Sequence, residues 1–206
     1  MITQRGLMLI LSSPSGAGKT SIARELLKRD ERIKLSVSHT TRDKRETEQE
    51  GEDYYFVDLE TFCKLQENGT FLESAEVFGN LYGSSRYQVQ KVLSEGYDLL
   101  FDIDWQGLRT LVATVPEDVV SIFILPPSNH ELLRRVNTRA QDAPDIIANR
   151  MAKAESEISH WDEYDYVIIN DDFDASIKQI REIIEVERWK RHRQIGLQEF
   201  IDGLCS

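Results

Sequence analysis

Only two cysteines, Cys63 and Cys205, occur in the 206 residues, far apart and in no metal-ligand spacing. That fits a reducing compartment and offers no structural zinc site. Long apolar runs are also missing. The N-terminal run Leu7-Met8-Leu9-Ile10-Leu11 has five residues, against about 18 for a membrane span and roughly 7–15 for a signal-peptide core. The expected setting is the cytoplasm, without a membrane partner. A basic excess is missing too: 25 Lys+Arg against 36 Asp+Glu leave a formal net charge of −11. Indiscriminate binding to nucleic acid or anionic lipid needs a basic footprint, so neither is an expected partner. A local cationic pocket is not excluded, because net charge is a sum over the whole surface. Repeats and low-complexity tracts are absent. What remains, 40% hydrophobic and 30% charged residues, is a globular composition of a length that suits one domain with inserted lobes.

Periodicity along the chain gives an alternation of strands and helices. Residues 7–11 read as a buried strand closed by Ser12-Ser13-Pro14-Ser15-Gly16, and residues 20–30 carry apolar residues at helical spacing. Residues 36–86 change character. Strand-like pieces at 35–37 and 54–57 flank a charged segment without apolar residues (42–53), and a helix at 59–67 starts at Asp58 and stops before Gly69. Beyond this β-rich insertion come a helix opened by Ser85-Arg86-Tyr87-Gln88 and ended by Gly96, then strands at 99–103, 119–125 and 166–169. Helices are expected at 129–137, 145–160 and 174–194. The fold class is α/β: a three-layer core with a largely parallel sheet covered on both faces. Ligands of such sheets bind beyond the carboxyl ends of the strands. The core is expected at 1–35, 87–126 and 151–206, with a small lobe at 36–86 and a short helical lid at 127–150. The last helix is compatible with a homodimer contact or with packing on its own core.

Ser13-Pro14-Ser15-Gly16-Ala17-Gly18-Lys19-Thr20 sits between the first strand and the first helix, the context of a phosphate-binding P-loop. Small residues let backbone N–H groups turn inward around phosphate oxygens at the positive end of a helix. Lys19 is placed to reach the outer phosphates and Thr20 to offer its hydroxyl to Mg²⁺. Ser13 stands where the general pattern has glycine; Gly16 and Gly18 retain the bend. The loop indicates a nucleotide phosphate, not which nucleotide.

Further motifs follow: Ser36-Val37-Ser38-His39-Thr40-Thr41-Arg42 with Arg45, Glu48, Gly51 and Tyr54; Phe71-Leu72-Glu73; Gly79-Asn80-Leu81-Tyr82-Gly83-Ser84; Asp102-Ile103-Asp104-Trp105-Gln106-Gly107; and Ile169-Asn170-Asp171-Asp172. In this order and spacing, from about residue 7 to about 190, the chain resembles the guanylate kinases of bacterial type. The resemblance implies transfer of the γ-phosphoryl group of ATP to GMP, and to dGMP, with Mg²⁺, in purine nucleotide metabolism. It implies that Arg42, Arg45, Tyr54 and Tyr82 hold the GMP phosphate. Ser38, Glu73, Ser84 and Asp104 would surround the guanine, with Glu48 in the same lobe. Residues 13–20 would hold the ATP phosphates and Asn170 would lie near the adenine. Arg135, Arg139 and Arg150 would close over the transferring group. Leu81 and Ala140 depart from the family pattern, which has Tyr and Gly there.

The residue types suit that chemistry independently. A phosphate dianion calls for forked guanidinium and phenol donors. Guanine presents N1–H and N2–H₂ on one edge, which a carboxylate accepts and adenine cannot supply. Lone arginines are usually solvated, and Arg134, adjoining Arg135, is expected on a solvated helix face. Asp102 and Asp104, two apart, are expected on one side of a strand. Asp104 would face guanine, and Asp102 either orders the Mg²⁺ water shell or makes a structural hydrogen bond. The histidines suggest no metal site, and Trp105, Trp161 and Trp189 are expected as packing anchors. Two alternatives stand beside this: a kinase for another nucleoside monophosphate, against which Glu73 with Ser38 and Ser84 argue, and a non-catalytic interaction module of guanylate-kinase type, which typically lacks the loop lysine that is present here as Lys19.

Overall fold

Alternating apolar side chains in a strand buried on both faces organise the centre of the molecule. The structure is a computed structural model that describes residues 1–77, 79–139 and 144–205, with side chains throughout these except at 77, 136–139 and 144–150. In chain order the described residues form β1 (Thr3–Gln4), β2 (Met8–Ser12), α1 (Lys19–Arg29), β3 (Ile33–Leu35), β4 (Ser38–Thr40), β5 (Tyr54–Phe56) and α2 (Leu59–Glu67). Then come β6 (Phe71–Val77), β7 (Asn80–Ser85), α3 (Arg86–Ser94), β8 (Asp98–Phe101), α4 (Trp105–Thr114), β9 (Val119–Leu125), α5 (Asn129–Arg139) and α6 (Pro144–Ile158). The chain closes with β10 (Tyr166–Ile169), α7 (Phe173–Arg188), β11 (Gln194–Ile195) and α8 (Leu197–Leu204).

Five of these strands make a parallel sheet in the order β10-β9-β2-β8-β3. Leu9 and Leu11 of β2 face a layer with Ile22 and Leu26 of α1 and Ile177, Ile180 and Ile184 of α7. Met8 and Ile10, on the other face, meet Val89 and Leu93 of α3 and Leu108 and Leu111 of α4. This is the expected α/β architecture, with β2 at the centre and its carboxyl end running into the P-loop. A second sheet, in the order β5-β4-β7-β6, is antiparallel except for the β4–β5 pair. It is tied to the core through Leu72, which is buried among Met8, Val89 and Phe101.

Several expectations need correction. Residues 35–37 are not one strand: Leu35 ends β3 in the parallel sheet, and Ser36 donates its N–H to the Leu100 carbonyl at 2.9 Å before the second sheet begins at Ser38. The helix expected to be last, α7, stops at Arg188 with Trp189 as its C-cap, six residues short of 194, and β11 and α8 follow it. Trp161 and Trp189 are exposed rather than packed inside. Trp105 stacks on His160, ring centroids 3.9 Å apart. The expected helices at 129–137 and 145–160 are present as α5 and α6; residues 140–143 of the expected lid, Ala140 among them, lie outside the described residues. Asp58 caps α2, accepting from the Thr61 N–H at 2.7 Å.

One buried charge network clamps the end of the sheet opposite the P-loop. The Asp98 carboxylate, fully buried, accepts from the Leu7 N–H at 2.9 Å and from Arg188 Nε at 2.8 Å. Arg188 also bonds Asp30 at 2.8 Å. These contacts join β2, β8, α7 and the end of α1. Removing one member leaves an uncompensated buried charge, which typically costs 3–5 kcal/mol. Arg188→Met is expected to lower unfolding stability by roughly that amount, read as a shift in urea midpoint at unchanged m-value.

Candidate active site

Between β2 and α1 the chain reverses direction within residues 13–18. Gly16 and Gly18 make this possible with φ of 98° and 105°. At Gly18 the space is as restrictive as the dihedral, since a Cβ there would lie 2.5 Å from Asn170 Nδ2. Asn170 is buried at the end of β10. Its Nδ2 donates to the Ala17 carbonyl at 2.7 Å, and its Oδ1 accepts from Ser176 Oγ at 3.3 Å. Asn170 was expected beside an adenine; in the structure its amide holds the inside of the loop.

The loop borders a cavity of about 300 Å³, whose other walls include Lys19, Thr20, Asp102 and Glu157. Lys19 Nζ is ion-paired with the Asp102 carboxylate. Thr20 is exposed at the first turn of α1. Asp102 and Asp104 do not lie on a strand, because β8 ends at Phe101. Ser12 Oγ donates to the Ile103 carbonyl at 2.8 Å, pinning the segment between them. Asp104 is the N-cap of α4, its Oδ1 accepting from the N–H groups of Gln106 and Gly107 at 3.0 and 3.1 Å. Arg135 reaches the loop, with Nη1 3.5 Å from the Ala17 carbonyl and Nη2 3.5 Å from the Asn170 carbonyl. Arg134 is bonded to Glu131 on an exposed side of α5. Arg139 ends α5 and Arg150 lies within α6, but their side chains fall outside the described residues.

On the second sheet, Arg42 Nη2 donates to Glu48 Oε1 at 2.7 Å, and the Arg45 N–H donates to Glu48 Oε2 at 2.9 Å. The Arg42 guanidinium lies 5.3 Å from the Tyr54 ring, which meets the Tyr82 ring edge-on at 5.9 Å. Further in, Ser84 Oγ donates to Glu73 Oε1 at 2.7 Å and lies 3.2 Å from Ser38 Oγ. Charge reaches from one half to the other: beyond the effect of burial, Asp104 pushes the Glu73 carboxyl up and Asp102 pushes the Tyr54 hydroxyl up.

A family model described as guanylate kinase matches residues 5–187. The guanylate kinase of Paramagnetospirillum magneticum is 51% identical over 203 residues, 98% of this chain and 95% of that protein. That of Zymomonas mobilis subsp. mobilis is 53% identical over 205 residues, 100% of this chain and 95% of that protein. The chain belongs to the guanylate kinase family. A crystal structure of guanylate kinase from Anaplasma phagocytophilum superposes with a TM-score of 0.78 at 42% identity, covering 98% of this chain and 96% of that one.

Within this guanylate kinase fold the structure brings together P-loop, Asp102, Asp104 and Arg135 on one side, and Arg42, Glu48, Tyr54, Tyr82, Glu73, Ser84 and Ser38 on the other. Two acids at the site were not anticipated. Glu131 bridges Arg134 and Arg135, and their guanidiniums bring its carboxyl down to about 2. Glu157 accepts from the Ser15 N–H at 3.2 Å across 142 residues of sequence, a separation that no local motif spans.

Glu73 is the most deeply buried carboxylate of the second sheet, at 4% exposure. Burial pushes its carboxyl above the ordinary range; the Ser84 hydroxyl pulls it back and Asp104 pushes it further up. The folded state therefore holds this proton more tightly than the unfolded chain. Stability falls as pH rises from the unfolded value through the folded one, and the full cost is present above both. Glu73→Gln is expected to unfold at a higher urea midpoint than the native protein at pH 7. The gap should narrow as pH is lowered toward about 4, near the ordinary value for Glu.

Proposed function

We propose that the protein transfers the γ-phosphoryl group of ATP to GMP, and to dGMP, giving ADP and GDP or dGDP. The observation that carries this reading is the buried Glu73–Ser84–Ser38 chain, in a fold whose P-loop opens on a cavity of its own. A carboxylate held there accepts the paired donors of the guanine edge, and adenine would leave it unpaired. Asp104 keeps its second oxygen for the same base. Arg42, Arg45, Tyr54 and Tyr82 are read as donors to the GMP phosphate, with Glu48 orienting the first two.

Residues 13–20 are read as the ATP phosphate cradle, with Asn170 shaping it from below and Lys19 reaching the outer phosphates. The hydroxyl of Thr20 and the carboxylate of Asp102 line one cavity and are hard oxygen donors, a set that fits Mg²⁺. When bound, the ion would supply positive charge to offset that of the nucleotide phosphates. The GMP phosphate is already anionic and is its own nucleophile, so no general base is required. The chain's contribution is alignment of the two phosphates and stabilisation of the charge between them by Lys19, Arg42 and Arg135. Arg139 and Arg150 are assigned to the same task from their positions in the sequence. We read residues 1–35, 87–126 and 151–206 as the core, 36–86 as the GMP lobe and 127–150 as the lid of a cytoplasmic enzyme. The free thiols of Cys63 and Cys205 agree with that compartment.

A coupled assay with ATP and each of GMP, dGMP, AMP and UMP tests the reading, with and without Mg²⁺. Turnover is expected with GMP and dGMP and is expected to require Mg²⁺. Turnover with AMP or UMP alone, or with no acceptor, would overturn it. Glu73→Gln should lose roughly 2–4 kcal/mol in kcat/KM for GMP, about 30- to 1,000-fold, although the variant is the more stable protein. An unchanged kcat/KM would remove Glu73 from the guanine site.

A further inference from the structure

Glu157 is an acid placed in a cavity built for anions. It lies one residue before the end of α6, half-buried, and lines the same cavity of about 300 Å³ as Lys19 and the P-loop backbone. Its Oε2 accepts from the Ser15 N–H, an amide of the loop itself. Successive amides of such a loop are the donors that a phosphate oxygen would use. The bond length of 3.2 Å exceeds the roughly 2.7–2.9 Å of a strong charge-assisted N–H···O⁻ contact. A ligand oxygen that approaches closer can therefore replace the carboxylate at little cost. The charges acting on Glu157 are mixed: burial and Asp104 disfavour its ionised form, whereas Lys153, the Ser15 amide and Lys19 favour it.

We propose that the Glu157 carboxylate and a nucleotide phosphate compete for the Ser15 amide, so that Glu157 limits how tightly the P-loop holds its nucleotide. The inference rests on reading residues 13–20 as the nucleotide phosphate site. Its chemical logic is that of differential binding. Polyphosphate affinity expressed equally toward ATP, ADP and the transition state does not raise turnover, and excess affinity for ADP delays product release. An internal carboxylate that regains the amide as ADP leaves lowers that affinity without removing any donor from the loop. Displacement also gives α6 a direct link to loop occupancy, because the competing group is part of that helix.

The test is titration calorimetry of MgADP against the full-length protein, Glu157→Gln and Glu157→Ala at one fixed ionic strength. Both variants are expected to bind MgADP about tenfold more tightly, the scale of one removed charge near a partly exposed anion site. Glu157→Gln should match Glu157→Ala, since the charge matters and not the volume. GMP affinity should stay within about twofold, and product inhibition by ADP should strengthen in both variants. Unchanged or weaker MgADP binding in the two variants would overturn the proposal, weaker binding marking Glu157 as a ligand contact instead. Lys19→Met separates the two readings. If it abolishes MgADP binding while the Glu157 variants behave as the native protein, only this inference fails. If Lys19→Met binds MgADP normally, the reading of the loop itself fails.

Discussion

The hydrogen bond from the Asn170 amide to the Ala17 carbonyl, 2.7 Å long, is the contact on which the rest of the site depends. A loop can aim its N–H groups at a ligand only if its carbonyls have somewhere else to go. Asn170 supplies that place, and it does so from the end of β10, a sheet edge two strands away from β2. Gly18 is required because the same amide fills the volume a side chain would occupy. The Arg135 guanidinium closes the arrangement by lying against the carbonyls of both Ala17 and Asn170. The conformation of six loop residues is thereby set by the parallel sheet rather than by the loop's own preferences.

The second sheet is anchored in a comparable way. Adjacent residues of β6 serve opposite sides: Leu72 enters the hydrophobic layer beneath the parallel sheet, and Glu73 turns toward Ser84. The irregularity of register between Phe71 and Glu73 sets which of the two faces inward, since a slip of one residue exchanges faces. Packing of a leucine in the core and presentation of a carboxylate in the cleft are therefore one geometric condition.

Much of this was legible in the sequence. The P-loop is a contiguous motif whose context, an apolar strand before and a helix after, is itself local, and so are the caps at Asp58 and Ser85. The β6–β7 hairpin was not read as strands, because Glu73 and Ser84 are polar residues facing inward and break the alternation that marks a half-buried strand. Helix α4 was missed for a related reason: Asp104 was read as a strand residue following 99–103, whereas its carboxylate caps a helix that contains Gly107 and two threonines. Residues 35–37 looked like one strand because nothing local marks where a chain leaves one sheet for another. Glu131 and Glu157 carry no sequence signal at all; each matters only through a partner brought to it by the fold.

Three described cations of the cleft are not bare. Lys19 is paired with Asp102, Arg42 with Glu48 and Arg135 with Glu131. A phosphate arriving at such a site meets cations that already have carboxylate partners, so its oxygens add to or replace contacts within the chain rather than contacts with dissolved anions. Fewer dissolved counterions are then set free than bare lysine and arginine would set free, so binding should respond to ionic strength less steeply than the number of cations suggests. The protein carries part of its salt atmosphere covalently attached, and its acidic sequence is in this respect a property of the cleft as well as of the exterior.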